Sequence, residues 1–102
     1  MDNEMSMKQD FTLEVASDNN FSVLNRIINV LNRRQVRIKK LMAHENEKDF
    51  RRGSVIMLLF TTPDMIEKVS AQLEKLIEVD MVRAHEGSHL YYELSERIVD
   101  VD

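Results

Sequence analysis

The chain has 102 residues and a formal net charge of −4, with 43% hydrophobic and 31% charged residues. This is one domain's worth of sequence with a globular composition, and so short a chain buries only about two thirds of its unfolded surface, so partners often supply the missing burial. The lack of cysteine excludes disulfides, thiolate metal sites and a cysteine nucleophile. The negative balance argues against nucleic acid as a partner, and no apolar run approaches the roughly 20 residues of a membrane span.

Residues 1–10 are acidic and polar, unlike a signal peptide. They read as a disordered or loosely attached segment of a cytoplasmic protein. Phe11, Leu13 and Val15 then alternate with Thr12 and Glu14, the period of a half-buried strand. Asp18-Asn19-Asn20 ends that strand and supplies a cap for a helix. In the helix, Leu24, Ile27, Ile28 and Leu31 fall on one face. Gln35 to Ala43 reads as the next strand, with a bulge near Lys39-Lys40 where the alternation breaks. His44 to Arg52 is polar and charged, and reads as a loop.

Gly53 opens a third strand whose core, Val55 to Phe60, is apolar on both faces, as a central strand requires. Thr62-Pro63 is a cap followed by proline in the first helical position. Ile66, Val69, Leu73 and Leu76 form the buried stripe of that second helix. Val79 to Glu86 is the last strand, Gly87 breaks the pattern, and residues 87–102 form a tail containing Leu90, Tyr91, Tyr92, Leu94, Ile98 and Val99.

The order is β-α-β-β-α-β over residues 11–86. It predicts an α+β, ferredoxin-like domain in which a four-stranded antiparallel sheet carries two helices on one face. The first and third strands are then central, and the second, bearing Arg37, Lys39 and Lys40, lies at an edge. Two helices leave the other sheet face open. Leu90, Tyr91, Leu94 and Ile98 are expected to cover it in part, on their own subunit or a neighbour.

Nothing in the chain resembles a catalytic signature, and no cofactor is expected. An enzyme of this topology would need a pocket with convergent titratable groups. His44, His85 and His89 are too scattered for a metal site. Met57, Met65 and Met81 fit core positions. RNA-recognition domains share this plan and carry stacking aromatics after a basic-glycine pair, but Arg52-Gly53 is followed by Ser54, Ile56 and Met57. The cluster Arg33, Arg34, Arg37, Lys39 and Lys40 suits an acidic partner, a ligand carboxylate or a charged, self-protecting strand edge. Tyr91 and Tyr92 are either partner anchors or residues packed back on the domain.

Three stretches carry a family resemblance. Asn19-Asn20-Phe21-Ser22-Val23-Leu24-Asn25-Arg26 resembles the Asn-x-Pro-Gly-Val-Leu-x-Arg loop of acetolactate synthase small subunits, which are built on the ACT domain, with Phe21-Ser22 in place of Pro-Gly. Arg33-Arg34-Gln35-Val36-Arg37-Ile38-Lys39-Lys40-Leu41 is similar to Arg-Arg-Gly-Phe/Tyr-Asn-Ile-x-x-Leu, departing at Gln35, Val36 and Arg37. Gln72 to Val82 is similar to Gln-Leu-x-Lys-Leu-x-x-Val-x-x-Val, the longest contiguous match.

The resemblance implies a non-catalytic regulatory subunit in branched-chain amino acid biosynthesis, of the short single-domain type. Subunits of this family form a homodimer, activate the large catalytic subunit and relay feedback by a branched-chain amino acid, and in the short type that feedback can be weak or absent. A free-standing amino-acid-sensing ACT protein acting on another enzyme is the alternative. The resemblance also implies an amino-acid site at the dimer interface. Asp18, Asn19, Asn20, Ser22, Val23 and Leu24 of one subunit would face Arg37 and Ile38 of the other. Arg33, Arg34, Lys39, Lys40, Tyr91 and Tyr92 are candidates for contact with the catalytic partner. A cation at Arg37 in place of the family's Asn is expected to pair with Asp18, fill the site and weaken ligand binding, so that Arg37→Asn restores some of it.

Overall fold

A computed structural model describes residues 7–99. The elements run β1 (Gln9–Asp18), α1 (Phe21–Arg33), β2 (Arg37–Glu45), β3 (Arg52–Thr61), α2 (Pro63–Glu74), β4 (Val79–Glu86) and α3 (His89–Val99). The four strands form one antiparallel sheet of order β2-β3-β1-β4. This is the expected ferredoxin-like topology, with β1 and β3 central and β2 at an edge. The first strand is longer than its hydrophobic alternation: it starts at Gln9, within the segment read as loose, because Gln9 and Asp10 pair with Thr61 and Phe60.

Side chains from alternate positions of β1 and β3 meet α1 and α2. Leu13, Val15, Met57, Leu59, Val23, Ile27, Leu31, Val69 and Leu73 are almost wholly removed from water. Each such side chain contributes about 1.5–3 kcal/mol relative to exposure. The buried stripe of α1 is Val23, Ile27, Val30 and Leu31, with Leu24 and Ile28 only half-buried. It is rotated from the expected face because the helix also packs Val30 inward. The bulge in β2 is present: the register with β3 shifts between Ile38 and Lys40. The Thr62 side chain accepts from the Met65 N–H at 3.1 Å, and Pro63 follows in the first turn.

Gln35 does not begin β2. It ends α1 in the left-handed region, at φ 57°. Its N–H donates to the Asn32 carbonyl and that of Val36 to the Leu31 carbonyl, both at 3.0 Å, the paired bonds of a Schellman helix stop. Val36, buried at the next position, makes the hydrophobic contact that goes with it. Glycine adopts this conformation without a Cβ clash, whereas an L-residue there costs roughly 1–2 kcal/mol. Gln35→Gly should therefore stabilise the fold by about 1 kcal/mol, less the extra chain entropy of glycine, and raise the melting temperature by a few degrees. A lower melting temperature would show that the Gln35 side chain compensates for the strain.

A third helix, α3, stands where a tail was expected, on the sheet face opposite α1 and α2. Tyr91 is 5% exposed and packs with Ile56 and Leu58, with Leu94 beside them. Leu90 is half-buried, and the Ile98 side chain lies outside the described residues. The buried Thr12 holds the start of the helix. Its hydroxyl donates to the Gly87 carbonyl at 2.8 Å and accepts from the Tyr91 N–H at 3.2 Å. An N–H in the first turn, usually capped by a local side chain, is capped here by a strand residue 79 positions away. Gly87, at φ 82°, makes the preceding turn.

Candidate functional site

At one end of the sheet the β1–α1 turn faces the end of β2 and the start of β3 across a cavity of about 570 Å³. Asp18, Asn19, Asn20, Phe21 and Leu24 form one wall. Ala43, His44, Glu45, Gly53, Ser54 and Val55 form much of the other. The turn is fastened from several sides. The Asn20 side chain caps α1, accepting from the Val23 N–H at 3.0 Å. The Asp18 N–H donates to the Glu78 carbonyl, and the Asn19 N–H to the Arg51 carbonyl, each at 2.9 Å. The Asn19 side-chain amide donates to the Phe50 carbonyl at 2.9 Å and to Glu45 Oε2 at 3.1 Å. Gly53 makes room for it: a Cβ at that position would lie 3.0 Å from the His44 carbonyl oxygen and 3.2 Å from the Asn19 side chain.

Charges complete the frame. Arg52, opposite Asp18 in the β1–β3 register, pairs with both Asp18 and Asp80. Arg26 pairs with Glu78 at 2.6 Å, tying α1 to the α2–β4 turn. In the β2–β3 loop, hydrogen bonding from Arg51 holds the Asp49 carboxyl below its ordinary value. The Asn46 side chain accepts from the Lys48 and Asp49 N–H groups. Two residues of the loop motif thus have structural work in this chain: Asn19 pins the hairpin loop and Arg26 braces the turn.

Four of the expected site residues, Asp18, Asn19, Asn20 and Leu24, line the cavity. Ser22 is exposed one position into the helix, and the Val23 side chain is in the core. Arg37 and Ile38 lie at the far end of β2, paired with Phe60 and Leu59, so within one chain they are remote from the cavity. The cavity instead takes His44, Glu45 and Phe21, which the sequence reading had not assigned to it. The Asp18 carboxylate, expected to meet a neighbour's Arg37, is already engaged by Arg52 of its own chain. The cavity wall carries two carboxylates and a histidine but no lysine or arginine.

The basic cluster is partly tied down. Arg34 Nε donates to Gln72 Oε1 at 3.2 Å, and Lys39 pairs with Asp10 at 3.0 Å. Lys40 lies 5.3 Å from the Tyr92 ring centroid, a cation–π contact. Arg33 and Arg37 are exposed without an ion-pair partner among the described residues. Tyr91 is packed on its own sheet, while Tyr92 remains 43% exposed, edge-on to Tyr91 at 5.5 Å. Among the described residues, no group of three or more His, Asp or Glu side chains is placed to hold a metal ion, and no helix is long and apolar enough to cross a membrane.

The fold and site define a ferredoxin-like α+β domain with a ligand-sized concavity beside a helix start. The profile of the ACT domain family matches residues 19–82, and the chain belongs to that family of regulatory domains, which commonly dimerise and bind amino acids. The ACT domain from GTP pyrophosphokinase of Chlorobium tepidum superposes with a TM-score of 0.66 at 13% identity, covering 76% of this chain and 99% of that one. The C-terminal domain of the MgtC protein from Mycobacterium tuberculosis gives 0.65 at 16% identity, covering 87% of this chain and 96% of that domain. The acetolactate synthase small subunit from Thermotoga maritima gives 0.65 at 21% identity, covering 74% of this chain but 47% of that subunit. These identities speak to the fold alone. No curated protein sequence matches the chain.

Proposed function

We propose that this chain is a non-catalytic regulatory small subunit of acetolactate synthase, which docks on the large catalytic subunit and raises its activity. The thiamine and flavin chemistry belongs to the large subunit. One observation carries the reading: the three stretches that resemble that subunit's sequence all lie within the residues that the ACT profile matches, with Asn19 and Arg26 bracing the β1–α1 turn. The fold likeness to the Thermotoga maritima small subunit agrees with it. Adding the chain to the acetolactate synthase large subunit from the same source should raise its turnover several-fold at saturation. An unchanged turnover, with no complex formed, overturns the reading. A second reading, an ACT sensor acting on a different enzyme, is favoured by the near-complete coverage of the GTP pyrophosphokinase ACT domain.

Within this reading the chain forms a homodimer through β2. The outer edge of that strand has unpaired backbone groups, and pairing it antiparallel with its own copy satisfies them and removes an aggregation-prone edge. Arg37 and Glu45, both exposed, stand at opposite ends of the strand with Leu41 between them. Antiparallel pairing about Leu41 carries the Arg37 end of each copy to the Glu45 end of the other, beside the cavity.

The same arrangement weakens feedback. A free amino acid needs acceptors for its ammonium and donors for its carboxylate. Here Asp18 is held by Arg52, and Glu45 accepts from Asn19 and meets Arg37 of the second copy. Calorimetry with valine, leucine or isoleucine should give Kd values on the order of millimolar or weaker, a binding free energy of about 4 kcal/mol or less. Arg37→Asn should tighten binding. Micromolar valine binding by the unaltered chain would show that these internal pairs open for the ligand.

A further inference from the structure

The three most exposed large apolar side chains among the described residues are Ile77 at 95%, Phe21 at 86% and Phe50 at 72%. They come from three separate segments: the α2–β4 turn, the first position of α1 and the β2–β3 loop. The bonds that build the cavity bring them to one end of the molecule. Asn19, two residues before Phe21, donates its side-chain amide to the Phe50 carbonyl. Glu78, next to Ile77, accepts from the Asp18 N–H and pairs with Arg26 of α1. Phe21 itself lines the cavity. None of the three joins a core cluster, so none has a packing role that accounts for an apolar residue there. Isolated exposed apolar residues are ordinary, but three at one end of the sheet, one of them lining the cavity, mark an interaction surface.

We infer that this end of the molecule is the docking surface for the catalytic protein partner, with Phe21, Phe50 and Ile77 as its anchors. The inference rests on the function proposed above. The partner's chemistry follows from the charges. Asp18, Glu45, Glu47, Asp49, Glu78 and Asp80 outnumber Arg26, Lys48, Arg51 and Arg52 at this end. Arg26, Arg51 and Arg52 are already paired with acids of the same group. What remains is a set of apolar points beside a small excess of carboxylate, with Glu45 and Glu47 outside those pairs and Lys48 next to Glu47 in the loop. Its complement is a protein face with apolar pockets and lysines or arginines at their rim. Anionic lipid would be repelled, and of the three anchors only Phe21 lines the cavity in which a small ligand would sit.

The test uses the full chain and the acetolactate synthase large subunit from the same source. The variant is F21S/F50S/I77T, and affinity is read by titration in low salt and high salt. The expected result is binding by the unaltered chain that weakens with salt and falls at least a hundredfold in the variant, with the homodimer mass and melting curve unchanged. If the melting curve shifts, Phe50→Ser alone, in a loop outside the core, should still weaken binding about tenfold. Undiminished binding by the variants overturns the docking surface and leaves the proposed function standing. A variant that loses its homodimer mass assigns the surface to a second copy and overturns the inference. Failure of the unaltered chain to bind the large subunit overturns the proposed function, and this docking surface with it.

Discussion

Tyr91→Ala should destabilise the domain by about 3–4 kcal/mol, the range for deleting a buried aromatic ring. For a domain of this length that lowers the melting temperature by more than 10 °C, at roughly 4 °C or more per kcal/mol. Among the described residues, Tyr91 is the one aromatic buried beneath α3, and it covers Ile56 and Leu58 on the sheet face that α1 and α2 do not reach. Its loss leaves a cavity and loosens α3, exposing two apolar residues of the central strand β3, so aggregation should rise with temperature. Burial also holds the Tyr91 hydroxyl above its ordinary value of 10.0. The neutral ring is the form the fold favours. Its contribution is intact below that value and is lost as pH rises through the raised folded value, so α3 should loosen in strong alkali. Thr12→Val, which removes the cap on the Tyr91 N–H, should give a smaller loss in the same direction, about 1–2 kcal/mol. A melting curve unchanged by Tyr91→Ala would mean that α3 contributes nothing to the fold.

Arg37→Glu should weaken the proposed dimer by roughly thirtyfold, because each of the two symmetry-related contacts in the interface loses an attraction and gains a like-charge repulsion, about 2 kcal/mol in all. Adding Glu45→Arg reverses both charges and should return most of the affinity. Sedimentation of the three proteins at micromolar concentration reads this out as dimer, monomer-rich mixture and dimer. If the single variant stays fully dimeric, the contact does not run along β2. If the double variant fails to recover, the strands do not bring Arg37 to Glu45.

The sequence carried the architecture because its signals were local and redundant. The Val55 to Phe60 run could only be a strand covered on both faces, and it lies at the centre of the sheet. Thr62-Pro63 marked a helix start that the structure places at Pro63. The broken alternation at Lys39-Lys40 is the observed register shift. Other features depended on contacts between distant residues. The tail is a helix whose first turn is capped by Thr12, and that bond spans 79 positions. Gln35 read as strand because glutamine, unlike glycine or asparagine, gives no signal of a positive φ. Only half of the candidate site was legible. The β1–α1 turn could be read from Asp18-Asn19-Asn20. The opposite wall could not, because His44 and Glu45 looked like loop, although the Asn46 turn shows where the strand ends. Arg52, read as the end of a loop, opens β3 and holds Asp18.

In the function proposed above, this ACT domain acts by binding the catalytic subunit of acetolactate synthase. The most direct measurement is the mass of the species formed when the two proteins, purified separately, are mixed near equal molar ratio at micromolar concentration and low salt. A single heavier species containing both chains, dissociating as salt is raised, is the predicted result. Two species migrating at the masses of the separate proteins would contradict the claim.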